Sequence, residues 1–122
     1  MPLPEAPQPP LRLAIDRQAL IANWRALERL SGKARAGAAV KADGYGVGAR
    51  LVVQTLAGAG CRDFFVAYSS EAAALSGLIE PDSISVLHGP QSADDAAFMA
   101  SAGLRRSEER RVGKECLRLC RS

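Results

Sequence analysis

Apolar and polar residues follow two rhythms along this chain, one of period two and one close to the helical repeat. Leu11-Arg-Leu-Ala-Ile15 alternates at first, as a short strand does. Asp16 then offers a side chain able to cap a helix. Leu20, Ile21, Trp24, Leu27 and Leu30 fall on one helical stripe, which Gly32 stops. Gly37-Ala-Ala-Val-Lys-Ala42 is a short apolar run of the kind carried by a strand buried on both faces. Asp43-Gly-Tyr-Gly46 reads as a turn, and Leu51, Val52, Leu56 and Ala59 mark a second helix closed by Gly58 and Gly60. Residues 63–67 predict the next strand, followed by a helix capped at Ser69 or Ser70 and running through Leu75 to Leu78. Pro81-Asp82 turns the chain into a strand over residues 83–87. His88-Gly-Pro90 ends that strand, and Ser92 caps a last helix over Ala96, Ala97 and Ala100.

Strand and helix thus alternate four times, the rhythm of βα crossovers and a parallel α/β sheet. Periodicity does not choose between an open doubly wound sheet and a closed barrel. The first strand-to-helix turn has no dinucleotide fingerprint, and no phosphate loop ending in Gly-Lys-Ser/Thr occurs. Gly44-x-Gly46-x-Gly48 is too short and wrongly spaced for either.

Composition changes this picture little. A chain of 122 residues suits one modest domain, and 48% apolar residues is ordinary for a globular one. Residues 1–10 are rich in proline and read as an irregular leader. No apolar run approaches the ~20 residues that span a bilayer. The start lacks the basic and apolar segments of a secretory signal, so the expectation is a cytoplasmic protein with no membrane partner. The net charge of +3 points toward nucleic acid until the chain is divided. Residues 1–104 hold nine Lys/Arg against ten Asp/Glu, whereas residues 105–122 hold seven against three. The basic character belongs to the last segment alone, and no nucleic-acid partner is expected. Cys61, Cys116 and Cys120 are an odd number with no accompanying histidines, so they read as unpaired thiols, and no metal site is expected.

Lys41 is the residue that does not fit its strand. It ends an apolar run where a buried parallel strand is normally apolar throughout, and an unpartnered ammonium taken out of water costs several kcal/mol. Either the lysine is solvated at the strand end, or it pairs with a neighbour such as Asp43, or it serves as an amine. In parallel α/β proteins active sites gather at the carboxyl ends of strands, and a desolvated lysine is suited to bonding an aldehyde.

The surrounding wording, Ala39-Val-Lys-Ala-Asp-Gly-Tyr-Gly46, resembles the cofactor-lysine motif of alanine racemases. The segment from Asp16 to Trp24, with Asn23 before the aromatic, resembles that family's opening helix. Phe65-Val-Ala67 with Glu71-Ala72 resembles its second strand and the following helix start. The resemblance covers residues 11–104 and implies the amino-terminal part of a (β/α)8 TIM-type barrel binding pyridoxal 5'-phosphate, truncated after about half the barrel. It further implies a β-rich second domain in the complete protein and assembly as a homodimer.

Lys41 matches the lysine that bonds the cofactor and then acts as one of two acid/base groups at the α-carbon of an amino-acid substrate. Tyr45 matches the tyrosine whose hydroxyl binds the cofactor phosphate, the alternative being an aromatic that fills the space beneath the turn. Gly44 and Gly46 permit a tight turn. Asp43 orients Lys41 or caps the next turn of the chain. Val47 departs from the family, where histidine is common, and His88 matches no family role. The second acid/base group in this family is a tyrosine of the partner's second domain. The tyrosines here are Tyr45 and Tyr68, so these residues alone are expected not to racemise alanine.

Residues 105–122 break the rhythm, and one permissible choice of codons for residues 106–116 spells a common sequencing-library adapter. A non-native read-through tail is therefore expected, the alternative being a charged, solvated helix. Against the racemase stand another pyridoxal-phosphate barrel acting on a different amino acid, as racemase or decarboxylase, and a non-catalytic pyridoxal-phosphate-binding barrel.

Overall fold

The computed structural model describes residues 1–106. Helix α1 (Arg17–Leu30) begins where Asp16 accepts a 3.0 Å bond from the Ala19 amide, the cap its sequence announces. Trp24 is its buried anchor, and the indole Nε1 donates to the Ala36 carbonyl at 2.9 Å, tying the helix to the entrance of the first strand. Leu27 and Leu30, expected on the buried stripe, are instead 58% and 83% exposed. Nothing among the described residues reaches the last turn of the helix to cover them.

Strand β1 (Ala38–Ala39) leads through Val40 into a five-residue helical turn, α2 (Lys41–Tyr45), and then α3 (Ala49–Ala59). Strand β2 (Phe64–Val66) is followed by α4 (Ser69–Ala73), which stops short of the expected Leu78. A 3-10 turn over Pro81–Ser83 delivers β3 (Ile84–Val86). Helix α5 (Ala93–Ala102) starts at Ser92, whose hydroxyl accepts from the Asp95 amide, and β4 (Arg105–Arg106) closes the described chain.

The four strands are parallel and lie in the order β1-β2-β3-β4. That order decides what periodicity left open. A doubly wound sheet reverses direction at a switch point, whereas here every crossover steps to the same side. Because such crossovers share one hand, the helices stack on one face, which is the winding of a barrel. Val40, just after β1, and Phe64, Val66 and Val86 from β2 and β3 share a core with Val53 of α3 and Leu75, and all six side chains are fully buried.

Residues 11–15 form no strand. Leu11 and Leu13 are almost fully exposed and only Ile15 is partly covered, because no neighbouring strand among the described residues takes the backbone bonds their alternation would offer. Of the expected tail, Arg105 and Arg106 pair with β3, and the remaining residues, with Cys116 and Cys120, lie outside the described residues.

Candidate active site at the carboxyl ends of the strands

Lys41 leaves the sheet at the end of the β1 ladder. The Val40 amide donates to the Phe65 carbonyl at 2.8 Å, the last rung before the chain turns, and Val40 is 1% exposed. Lys41 itself is half-buried, and it makes no ion pair among the described residues. The turn after it is left-handed. Ala42, Asp43 and Tyr45 have φ of 51°, 53° and 57°, a region that costs an L-residue about 1–2 kcal/mol each. Gly44 continues the run at φ 65°, buried so closely that a β-carbon there would sit 3.2 Å from the Ala49 nitrogen. Glycine is required at that point for space as well as for backbone freedom.

The two readings of Asp43 are separated here. Its Oδ1 accepts the Ala49 amide at 2.8 Å, so it caps the first turn of α3. Tyr45 is 65% exposed and does not fill the space beneath the turn. It closes the same five-residue turn that Lys41 opens, four residues on.

Two features of this end of the sheet had no role in the sequence reading. Glu71, at the start of α4, accepts the Ala42 amide on Oε2 at 2.7 Å, and on Oε1 the Ala67 amide at 2.7 Å and the Tyr68 amide at 3.2 Å. Desolvation pushes its pKa up, but the three backbone donors and the nearby Lys41 charge outweigh this and hold the carboxyl below its ordinary value. The spacing Tyr68-x-x-Glu71 is that of a capping residue, a signal that could have found the local bond but not the one to Ala42, 29 positions away. Secondly, Tyr68 and His88, at the ends of β2 and β3, stack with ring centroids 5.0 Å apart and an interplanar angle of 24°. Below His88's strand end, Ser69 hydrogen-bonds Asp95, and that bond with the Gln91 amide lowers the Asp95 pKa.

A barrel-wound α/β protein with an amine and a phenol at the end of its first strand belongs to the class whose chemistry is done at the carboxyl ends of strands. Comparison with known proteins narrows this. The family model for the alanine racemase N-terminal domain matches residues 15–106. The chain is 45% identical over 87 residues to an alanine racemase of Rhizobium meliloti, covering 71% of this chain and 23% of that protein. It is 49% identical over 82 residues to a biosynthetic alanine racemase of Agrobacterium fabrum, covering 67% and 21%. Among solved structures it is similar to alanine racemase from Bartonella henselae with covalently bound pyridoxal phosphate. The TM-score is 0.67 at 38% identity, covering 75% of this chain and 26% of that one. The chain belongs to the alanine racemase N-terminal domain family. It spans about a quarter of the length of the relatives it matches.

Proposed function

We propose that this chain is the lysine-bearing part of a pyridoxal-phosphate-dependent alanine racemase, an isomerase interconverting L- and D-alanine for D-alanine supply. The observation that carries the reading is Lys41, half-buried and without an ion pair among the described residues, at the carboxyl end of a parallel strand in a chain of this family. The site's donor set fits the cofactor: an amine able to bond an aldehyde, and an exposed phenol four residues on, able to donate to a phosphate.

Lys41 would hold the cofactor covalently and Tyr45 would hold its phosphate. When bound, pyridoxal phosphate supplies an electron sink for the charge left at the substrate's α-carbon. The part of Lys41 is then that of a base and acid, taking a proton from one face of the α-carbon at its Nζ and returning it. Inversion needs a second group on the opposite face, for which we look to a second domain of a partner subunit in a homodimer. These 122 residues by themselves are expected to bind but not to racemise. No helix among the described residues is long and apolar enough to cross a membrane, and the proposed setting is the cytoplasm.

The test is covalent trapping. The purified chain is mixed with pyridoxal phosphate and reduced with borohydride, and the labelled peptide is mapped. Label on Lys41, in preference to Lys33 or Lys114, is the expected result. A label confined to another lysine ends this reading.

A further inference from the structure

Glu71 does more than a helix cap requires. A capping glutamate satisfies one amide at its own helix start, here Tyr68. The second oxygen of Glu71 reaches across to the turn that follows the first strand and takes the amide of Ala42, the residue directly after Lys41. We propose that Glu71 is a positioning residue whose carboxylate clasps the loop carrying Lys41 to the end of β2, and so fixes the direction in which the Lys41 amine is presented.

The backbone around Lys41 is held from two sides, and at a cost. Ala42 opens the left-handed run, and such residues persist only where their surroundings over-determine them. On one side Asp43 and the carbonyl of Val40 fix the run, through the Ala49 and Gly44 amides. On the other side the restraint is Glu71. A carboxylate suits the task because both oxygens accept and neither donates, and bonds to a charged acceptor are roughly twice as strong as neutral ones. A carboxamide would present a donor to one of the two loops. With three amides on its oxygens, Glu71 has little capacity left as a proton carrier, which separates its role from that of Lys41. Ala67, the buried residue directly after β2, supplies the other half of the clasp. The inference rests on Lys41 being the cofactor lysine, so its test has one readout that needs no cofactor.

That readout is the amide proton spectrum of the unaltered chain followed from pH 7 downward. The amides of Ala42, Ala67 and Tyr68 should move together with one midpoint below the ordinary glutamate value of 4.5, and the movement should vanish in Glu71→Gln. The second readout is the ratio of borohydride-trapped pyridoxal phosphate on Lys41 to that on Lys33, an exposed lysine in the turn after α1. Glu71→Gln should lower that ratio by roughly tenfold or more, with Lys33 labelling unchanged. Glu71→Asp keeps the charge but is one methylene short of Ala42, and should lose the same ratio. An Ala42 amide that does not titrate with the other two would overturn the clasp. Variants that keep the unaltered ratio would overturn the positioning role. Equal labelling of both lysines in the unaltered chain, with the three amides still titrating together, would defeat the cofactor reading and the role of Glu71 within it while leaving the contact itself established.

Discussion

The two ends of the sheet handle charge in opposite ways. At the amino end Asp63, just before β2, is paired side chain to side chain. Arg35 holds both oxygens, Nε to Oδ2 and Nη2 to Oδ1 at 2.9 Å each, and Arg105 also donates to Oδ1 at 3.0 Å, so the carboxylate joins the approach to β1, the start of β2 and β4. At the carboxyl end Glu71 is paired with backbone instead, and a lysine stands beside it without an ion pair. The first arrangement neutralises charge and leaves nothing to react. The second stores strain in a left-handed turn and keeps an amine available. In barrel-wound proteins the amino end serves stability and the carboxyl end chemistry, and here the division is visible within four strands.

The contrast can be tested by stability. Phe64, fully buried at the start of β2, sets the scale: Phe64→Ala should cost about 3–5 kcal/mol in urea unfolding. Asp63→Ala should follow at roughly 1–3 kcal/mol, discounted because both arginines are well exposed, and should leave the Lys41 to Lys33 labelling ratio unchanged. A changed ratio would mean that the two ends are coupled. Asp43→Ala removes a helix cap at the reactive end and should cost about 1 kcal/mol. Glu71 adds a dependence on pH. Its folded-state pKa lies below 4.5, so its contribution is full above that value and is lost as pH falls through the lower folded one. The stability gap between the unaltered chain and Glu71→Gln should therefore narrow in acid. Lys41→Ala should change stability least, within about 0.5 kcal/mol, while abolishing label at that position.

How much of this could be read in advance varied with how local the cause was. Strands β2 and β3 were legible because Phe64 with Val66 and Ile84 with Val86 put a buried apolar pair on one face of each strand, while the opposite face is less uniform, with Phe65 partly covered in β2 and a buried Ser85 in β3. Lys41 was legible as a charge ending an apolar run, although that run is not the strand buried on both faces that was expected: β1 is two residues long, Ala39 is exposed, and only Val40 beside Lys41 is fully buried. Leu11 and Leu13 misled because alternation describes a strand's faces and says nothing of whether a neighbour exists to bond it. The turn itself was legible, but its start at Ala42 and its left-handed path were not, because Ala42 and Tyr45 do not favour that conformation locally. The contacts that hold it come partly from Glu71, a residue of the next βα unit, and sequence spacing carries no record of such a reach.

The order of the strands has a further consequence, for synthesis. Paired residues in neighbouring strands are only 20 to 26 positions apart in the chain, from Ala38 with Phe64 to Ser85 with Arg105. Each of the described strands after the first finds its neighbour already made as it emerges from a ribosome, so loop closure is short at each of these steps. The sheet can be laid down one strand at a time, at the pace of translation.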